Sequence, residues 1–139
     1  MTRAMLVTVL YRQAGMPGVT GEYHIADVHD ANAWYYDAVM WAWENQIVDG
    51  YMDGTFRPNE PLTREELVTI LYRYAAGEPT EIDMSGYTDA KLISPWAQDA
   101  FKWALGSGIV EGTSDTTLSP HDGAKRCQVA AMLVRLLDL

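Results

Sequence analysis

The sequence predicts an all-α fold built from a repeated helix–loop–helix unit, and three observations carry that expectation. The stretch 50–73, GYMDGTFRPNEPLTREELVTILYR, joins a glycine-rich, aromatic, proline-closed loop to an amphipathic helix. Its helical half recurs at 2–12 as TRAMLVTVLYR, and a looser copy of the whole stretch occupies 112–135. The register is also constant. Trp34 and Trp96, Trp41 and Trp103, Ile47 and Ile109, Asp53 and Asp115, Pro58 and Pro120, and Arg64 and Arg126 are each 62 residues apart. Self-similarity at a fixed period marks an array of repeated supersecondary units.

The first element is a helix over 2–14, with Leu6, Val9 and Leu10 on one face and Arg3 and Arg12 outside the apolar stripe. A glycine- and proline-bearing connection follows at 15–22. A second helix is expected over 32–46, because Trp34, Ala38, Trp41 and Ala42 fall on a single helical face. Ile47-Val48 leads into a loop at 49–61, with a tight turn at Asp53-Gly54 and Phe56 tucked into the core. Counting Asp49 as position 1 of a calcium loop sets Tyr51 and Arg57 at ligand positions, where neither serves, so the turn is the reading kept. The next helix has explicit start signals. Thr63 and Glu66 form a capping box, and Leu62 and Leu67 a hydrophobic staple. Leu67, Ile70, Leu71 and Tyr74 continue one face, Gly77 stops the helix, and a polar linker runs to 86. Ser94-Pro95 reads as N-cap and N1 of a fourth helix carrying Trp96, Ala100, Trp103 and Ala104. Gly106 and Gly108 end it, and a last helix covers 124–137.

At 139 residues the chain is one domain's worth. With 48% apolar and 21% charged residues, it is globular rather than disordered. A formal net charge of −9 disfavours non-specific binding to nucleic acid or anionic lipid, so an anionic ligand must be met by particular arginines. No apolar run approaches the roughly 20 residues of a membrane span. The single Cys127 excludes an internal disulfide and a cysteine-rich metal site, and its apolar helical setting predicts a buried, inert thiol. The N-terminal words recur inside the chain, so they read as a repeat helix and not as an export signal. A protein working outside the cell would then carry its signal on a segment not included here. His24, His29 and His121 are scattered through loops, and no Ser or Cys stands in a nucleophile motif. No catalytic activity, metal or cofactor is expected.

The repeat resembles the S-layer homology (SLH) motif of bacterial surface proteins. The residues that carry the resemblance are Asp27-Val28, Trp34 with Ala38-Val39, Ile47-Val48, Gly50-Tyr51, Asp53-Gly54-Thr55-Phe56-Arg57-Pro58 and Leu62-Thr63-Arg64-Glu65-Glu66. In those terms 1–139 is a single SLH-type domain. Residues 1–15 supply the second helix of a first repeat, 23–77 a second repeat, and 87–139 a third, degenerate one. The first lacks its own leading helix and loop and has Met5 where the family has Glu. The third has Lys125 for Thr, Cys127-Gln128 for the acidic pair, and Thr113, Thr116, Leu118 and Ser119 for Tyr, Gly, Phe and Arg.

The resemblance implies a pseudo-threefold helical spindle that holds an extracellular protein non-covalently to a bacterial cell wall. The implied partner is a secondary cell-wall polysaccharide, anionic and often pyruvylated, gripped in grooves between repeats. The arginine typical of those grooves maps onto Arg64, and less completely onto Arg3 and Arg126; Tyr51 and Arg57 complete the expected glycan-binding set. Thr63 and Glu66 read as caps. Arg64 at N1 neither caps nor suits the helix dipole, so it requires a partner, either an acid within the fold or a ligand carboxylate. Trp34, Trp41, Trp96 and Trp103 read as core. Trp43, Tyr35 and Tyr36 point off that face, toward a groove or a neighbouring unit. A second expectation follows from the incomplete first repeat. It leaves the tryptophan-bearing helices one partner short, which favours self-association or docking to another chain.

Overall fold

The computed structural model describes residues 1–139, and the all-α expectation holds. There are five α-helices: α1 (Arg3–Gln13), α2 (Tyr36–Glu44), α3 (Arg64–Tyr74), α4 (Gln98–Gly106) and α5 (Arg126–Leu137). Single turns of 3-10 helix precede α4 at Ala90–Leu92 and Pro95–Ala97. No helix is long and apolar enough to cross a membrane. The chain divides into two compact units, Met1–Pro61 and Leu62–Leu139. The division falls between the repeated loop and the helix that follows it in sequence. Each unit therefore opens on a TR-type helix and then adds a tryptophan helix and a loop.

In the first unit α1 packs on α2, with Tyr11 against Trp41 at 5.5 Å between ring centroids. The buried face of α1 is Ala4, Leu6, Val7 and Leu10 together with Arg3. Two expectations are corrected here. Val9 is 38% exposed, and Arg3 lies within the buried stripe rather than outside it. The inward face is centred on Val7, so position 9 turns outward and position 3 falls in line one turn earlier.

The second helix is shorter than its periodicity suggested. The Asp30 carboxylate accepts from Asn32 N at 3.0 Å and the Asp30 carbonyl from Ala33 N, which spends those residues on turns. Helix α2 starts only at Tyr36, so Trp34 sits in the preceding turn, 61% exposed, while Trp41 is 6% exposed. The second unit repeats this. Trp96 lies in the Pro95–Ala97 turn, 53% exposed, and Trp103 is buried. One tryptophan of each pair is core; the expectation that both were is wrong because the helix has not begun at the first.

In the second unit α3 packs on α4, with Tyr72 against Trp103 at 5.7 Å. The capping box of α3 is present in full: the Thr63 hydroxyl accepts from Glu66 N, and the Glu66 carboxylate accepts from Thr63 N at 3.3 Å. Leu62 and Leu67 are fully buried, as the staple requires. Helix α3 ends at Tyr74, and Ala76 takes the left-handed position (φ 50°), so Gly77 is not the stop signal. Gly77 is glycine for a different reason: a Cβ there would collide with the indole nitrogen of Trp103. Ser94 does not cap α4. Its N–H and hydroxyl donate to the buried Glu65 carboxylate at 2.9 and 2.8 Å, and Ala97 precedes the helix.

Candidate functional site

The same joint between loop and helix is built once in each unit. In the first, the Asp27 carboxylate accepts from Phe56 N and Arg57 N, both at 2.8 Å. Two successive N–H groups pointing one way make an anion-binding concavity, and a side chain of the same unit fills it. The clasp supports Arg57 in the left-handed region (φ 59°) and presents the next carbonyls to α1. Ala4 N donates to Pro58 O at 2.9 Å and Arg3 N to Glu60 O at 3.1 Å, satisfying N–H groups that a helix start leaves over. In the second unit Asp89 accepts from Leu118 N and Ser119 N at 2.8 Å each, and Ser119 has φ 51°. Glu65 N donates to Pro120 O and Arg64 N to Asp122 O, both at 2.9 Å.

The arginine at N1 reaches back over that joint. Arg3 Nε donates to Phe56 O at 2.9 Å, and its guanidinium lies 4.8 Å from the Phe56 ring and 5.0 Å from the Tyr51 ring. Arg57 lies over the same Tyr51 ring at 3.7 Å, so the tyrosine has a cation in range from each of two elements. Arg57 is further placed by Thr55 Oγ1 at 3.2 Å and Asp53 Oδ2 at 3.4 Å. Hydrogen bonds from Thr55, with the Arg57 charge adding to them, lower the Asp53 pKa.

Arg64 is 2% exposed. Its Nε donates to Leu118 O at 2.9 Å and its Nη2 to Glu111 O at 3.2 Å. The in-fold partners of Arg64 are thus backbone carbonyls, not the acid that its N1 position suggested. Burial pushes its pKa down, while the charges of Asp122 and Asp89 push it up. The guanidinium also lines a groove of about 220 Å³ walled by Glu111, Gly112, Thr113, Cys127, Gln128, Ala131, Met132 and Arg135.

The structure therefore groups Arg3, Tyr51 and Arg57 in the first unit and sets Arg64 in the groove of the second. At the positions of Tyr51 and Arg57, the second unit has Thr113 and Ser119, whose hydroxyls lie 2.6 Å apart within a web that includes Thr117 and Ser114. Arg126 is exposed at the first turn of α5; the groove wall begins at the next residue. Cys127 is exposed, against the expectation of a buried thiol. It stands in the first turn of α5 on the face shared with Ala131 and Arg135, which borders the groove and not the core. Arg135 is the groove residue that sequence reasoning passed over. Its signal was the recurrence of Arg73 at 62 residues' distance.

These features define a class: a helical repeat module with a cationic groove at a helix start. The S-layer homology domain model matches residues 26–68 and 86–130, more than half of the chain. The chain belongs to the S-layer homology domain family. It is 34% identical to a surface-layer 125 kDa protein of Lysinibacillus sphaericus over 85% of this chain and 10% of that protein. It is 32% identical to an endoglucanase of Bacillus sp. (strain KSM-635), over 98% of this chain and 15% of the enzyme. A cellulosome-anchoring protein of Acetivibrio thermocellus is 29% identical over 81% of this chain and 25% of its own length. The chain thus spans a quarter or less of these relatives. The shared part is a cell-surface anchoring module, and the match to the endoglucanase covers only a small share of that enzyme.

Proposed function

We propose that this module holds a larger bacterial protein at the cell wall by binding an anionic secondary cell-wall polysaccharide, and that it does so without catalysing a reaction. In this reading residues 1–139 act as one binding domain of one partial and two full repeats, outside the cell. The observation that supports it best is the placement of Arg64. A nearly buried guanidinium, held by two carbonyls through Nε and Nη2, lines a groove beside the start of α5. Those bonds leave Nη1 for a ligand oxygen, so a pyruvate ketal carboxylate can be met there by a charge-assisted hydrogen bond. Arg3, Tyr51 and Arg57 form a second candidate contact, a half-exposed aromatic ring flanked by guanidinium groups on which a sugar face can stack. The contribution of Arg126 is the weakest of the set, because it stands outside the groove wall.

The test is co-sedimentation of the chain with wall sacculi that retain or lack their secondary polysaccharide. Binding only to the polysaccharide-bearing sacculi is expected, with Arg64→Lys weakening it about tenfold, because an ammonium cannot keep both carbonyl bonds and the ligand contact in the guanidinium's geometry. Equal binding to both preparations, or to neither, sinks the polysaccharide reading.

A further inference from the structure

The groove of the second unit carries a carboxylate of its own. Glu111 holds both cations: its backbone carbonyl accepts from Arg64 Nη2 at 3.2 Å, and its side-chain Oε1 lies 3.7 Å from Arg135 Nη2. The two contacts differ in strength. The first belongs to a residue that is itself nearly buried. The second is an exposed pair, with the Glu111 side chain 77% exposed and that of Arg135 37% exposed, so water and salt compete for it. Arg135 does not depend on Glu111 for its place, because Nη1 donates to Ile109 O at 3.1 Å. The arrangement also follows the repeat. Asp49-Gly50 stands where Glu111-Gly112 does, and Arg73 where Arg135 does, each 62 residues earlier.

We propose that Glu111 is a built-in competitor for the groove. Its carboxylate takes the anion position beside Arg135 and swings out when a ligand carboxylate enters between Arg64 and Arg135. This rests on the reading of the groove as a carboxylate site and adds two residues to it, Arg135 as a second contact and Glu111 as the group that sets the threshold for entry. A ligand acid gains charge-assisted hydrogen bonds that a single contact at 3.7 Å does not supply. A neutral sugar cannot displace the glutamate, so the competitor sharpens selection for anions by opposing the wrong ligand.

Cys127, the single cysteine, lines the same groove and is exposed, which makes its labelling rate a local reporter. The whole chain is treated with a dicarboxylate aryl disulfide or with a neutral dipyridyl disulfide; the thiolate attacks one sulfur and releases the aryl thiolate. Protection is measured with a methyl hexoside carrying a cyclic pyruvate ketal, and with the methyl ester of that ketal. Glu111→Gln keeps the backbone carbonyl that holds Arg64. It is expected to label about two- to five-fold faster with the dianionic reagent at an unchanged neutral-reagent rate, and to be protected by correspondingly less ketal acid. Arg135→Gln is expected to lose protection about tenfold, with partial recovery in Arg135→Lys, which keeps the charge if the glutamine variant melts early.

An unchanged ratio of dianionic to neutral labelling rates in Glu111→Gln overturns the proposal, as does equal protection by acid and ester. Sacculus binding is read separately. Its failure with the labelling result intact removes the polysaccharide and leaves Glu111 competing with a different anion.

Discussion

In the first unit the loop reaches α1 through the Asp27 clasp, an arginine at N1 and an aromatic ring set between cations. The second unit keeps the clasp, in Asp89, and the arginine, in Arg64, but trades the ring and its cation for a web of hydroxyls. What both retain is what the backbone needs: two N–H groups neutralised, a left-handed residue supported, a helix start supplied with carbonyls. What differs faces outward. The skeleton of the joint is thus separable from its surface chemistry, and one chain presents two chemistries on one scaffold.

The strongest way to break this comparison is to remove the clasp in either unit. Asp27→Ala and Asp89→Ala each delete a carboxylate that accepts two backbone N–H bonds, and each is expected to cost about 3 kcal/mol. Urea unfolding followed by tryptophan fluorescence measures both. A cost in one unit more than about 1 kcal/mol above the other would show that the two joints are not the same device.

Helix starts give a finer test, because α1, α3 and α5 carry graded versions of one cap. Helix α3 has both halves of the box. At α1 the Thr2 hydroxyl accepts from Met5 N, and position 5 has a thioether in place of the carboxylate of Glu66. At α5 Gln128 Oε1 accepts from Lys125 N at 2.9 Å, and a lysine side chain has no lone pair to return. Thr63→Ala should lose about 1 kcal/mol and Lys125→Thr should gain about as much, read as opposite shifts in melting temperature.

The smallest expected effect separates the two linkers. In the first unit Glu44 Oε1 accepts from Thr20 N, Thr20 Oγ1, Gly21 N and Tyr23 Oη. The Thr20 hydroxyl bond is the largest cause lowering its pKa, against desolvation. Position 106, at the same register, is glycine. There Thr80 packs close and donates to the Lys102 carbonyl at 2.6 Å, which does not titrate. A depressed folded-state pKa contributes stability that is present above the ordinary carboxylate range and is lost as pH falls through the folded value. Acid should therefore shift the Thr20 and Gly21 amide resonances and leave that of Thr80 in place. Parallel titration of both linkers would remove the distinction.

Much of this was legible in the residues. The 62-residue register, the Thr63–Glu66 box, the buried Phe56 and the all-α class all follow from local patterns whose causes are local. Two of the misses originate in partners supplied from far along the chain. Arg3 reads as exposed beside its own helix and is buried because Phe56 covers it. Ser94 reads as a cap and instead serves Glu65, 29 residues away. Trp34 and Trp96 fit a helical face by spacing, but a turn precedes each helix, and periodicity does not report where a helix begins. Arg135 was visible only as one more letter of the repeat, since its role depends on the loop it faces.

The reach of the N1 arginines has a bearing on synthesis. Arg3 finds its carbonyl 53 residues downstream and Arg64 finds its own 54 downstream. Each helix can wind as it leaves the ribosome, but its first turn is fastened only after the following loop has been made. In synthesis the fastening partner therefore follows its arginine by 53 residues in one case and 54 in the other. A splice that keeps a helix with the loop made after it preserves the fastening, and one cut at the sequence repeat severs it.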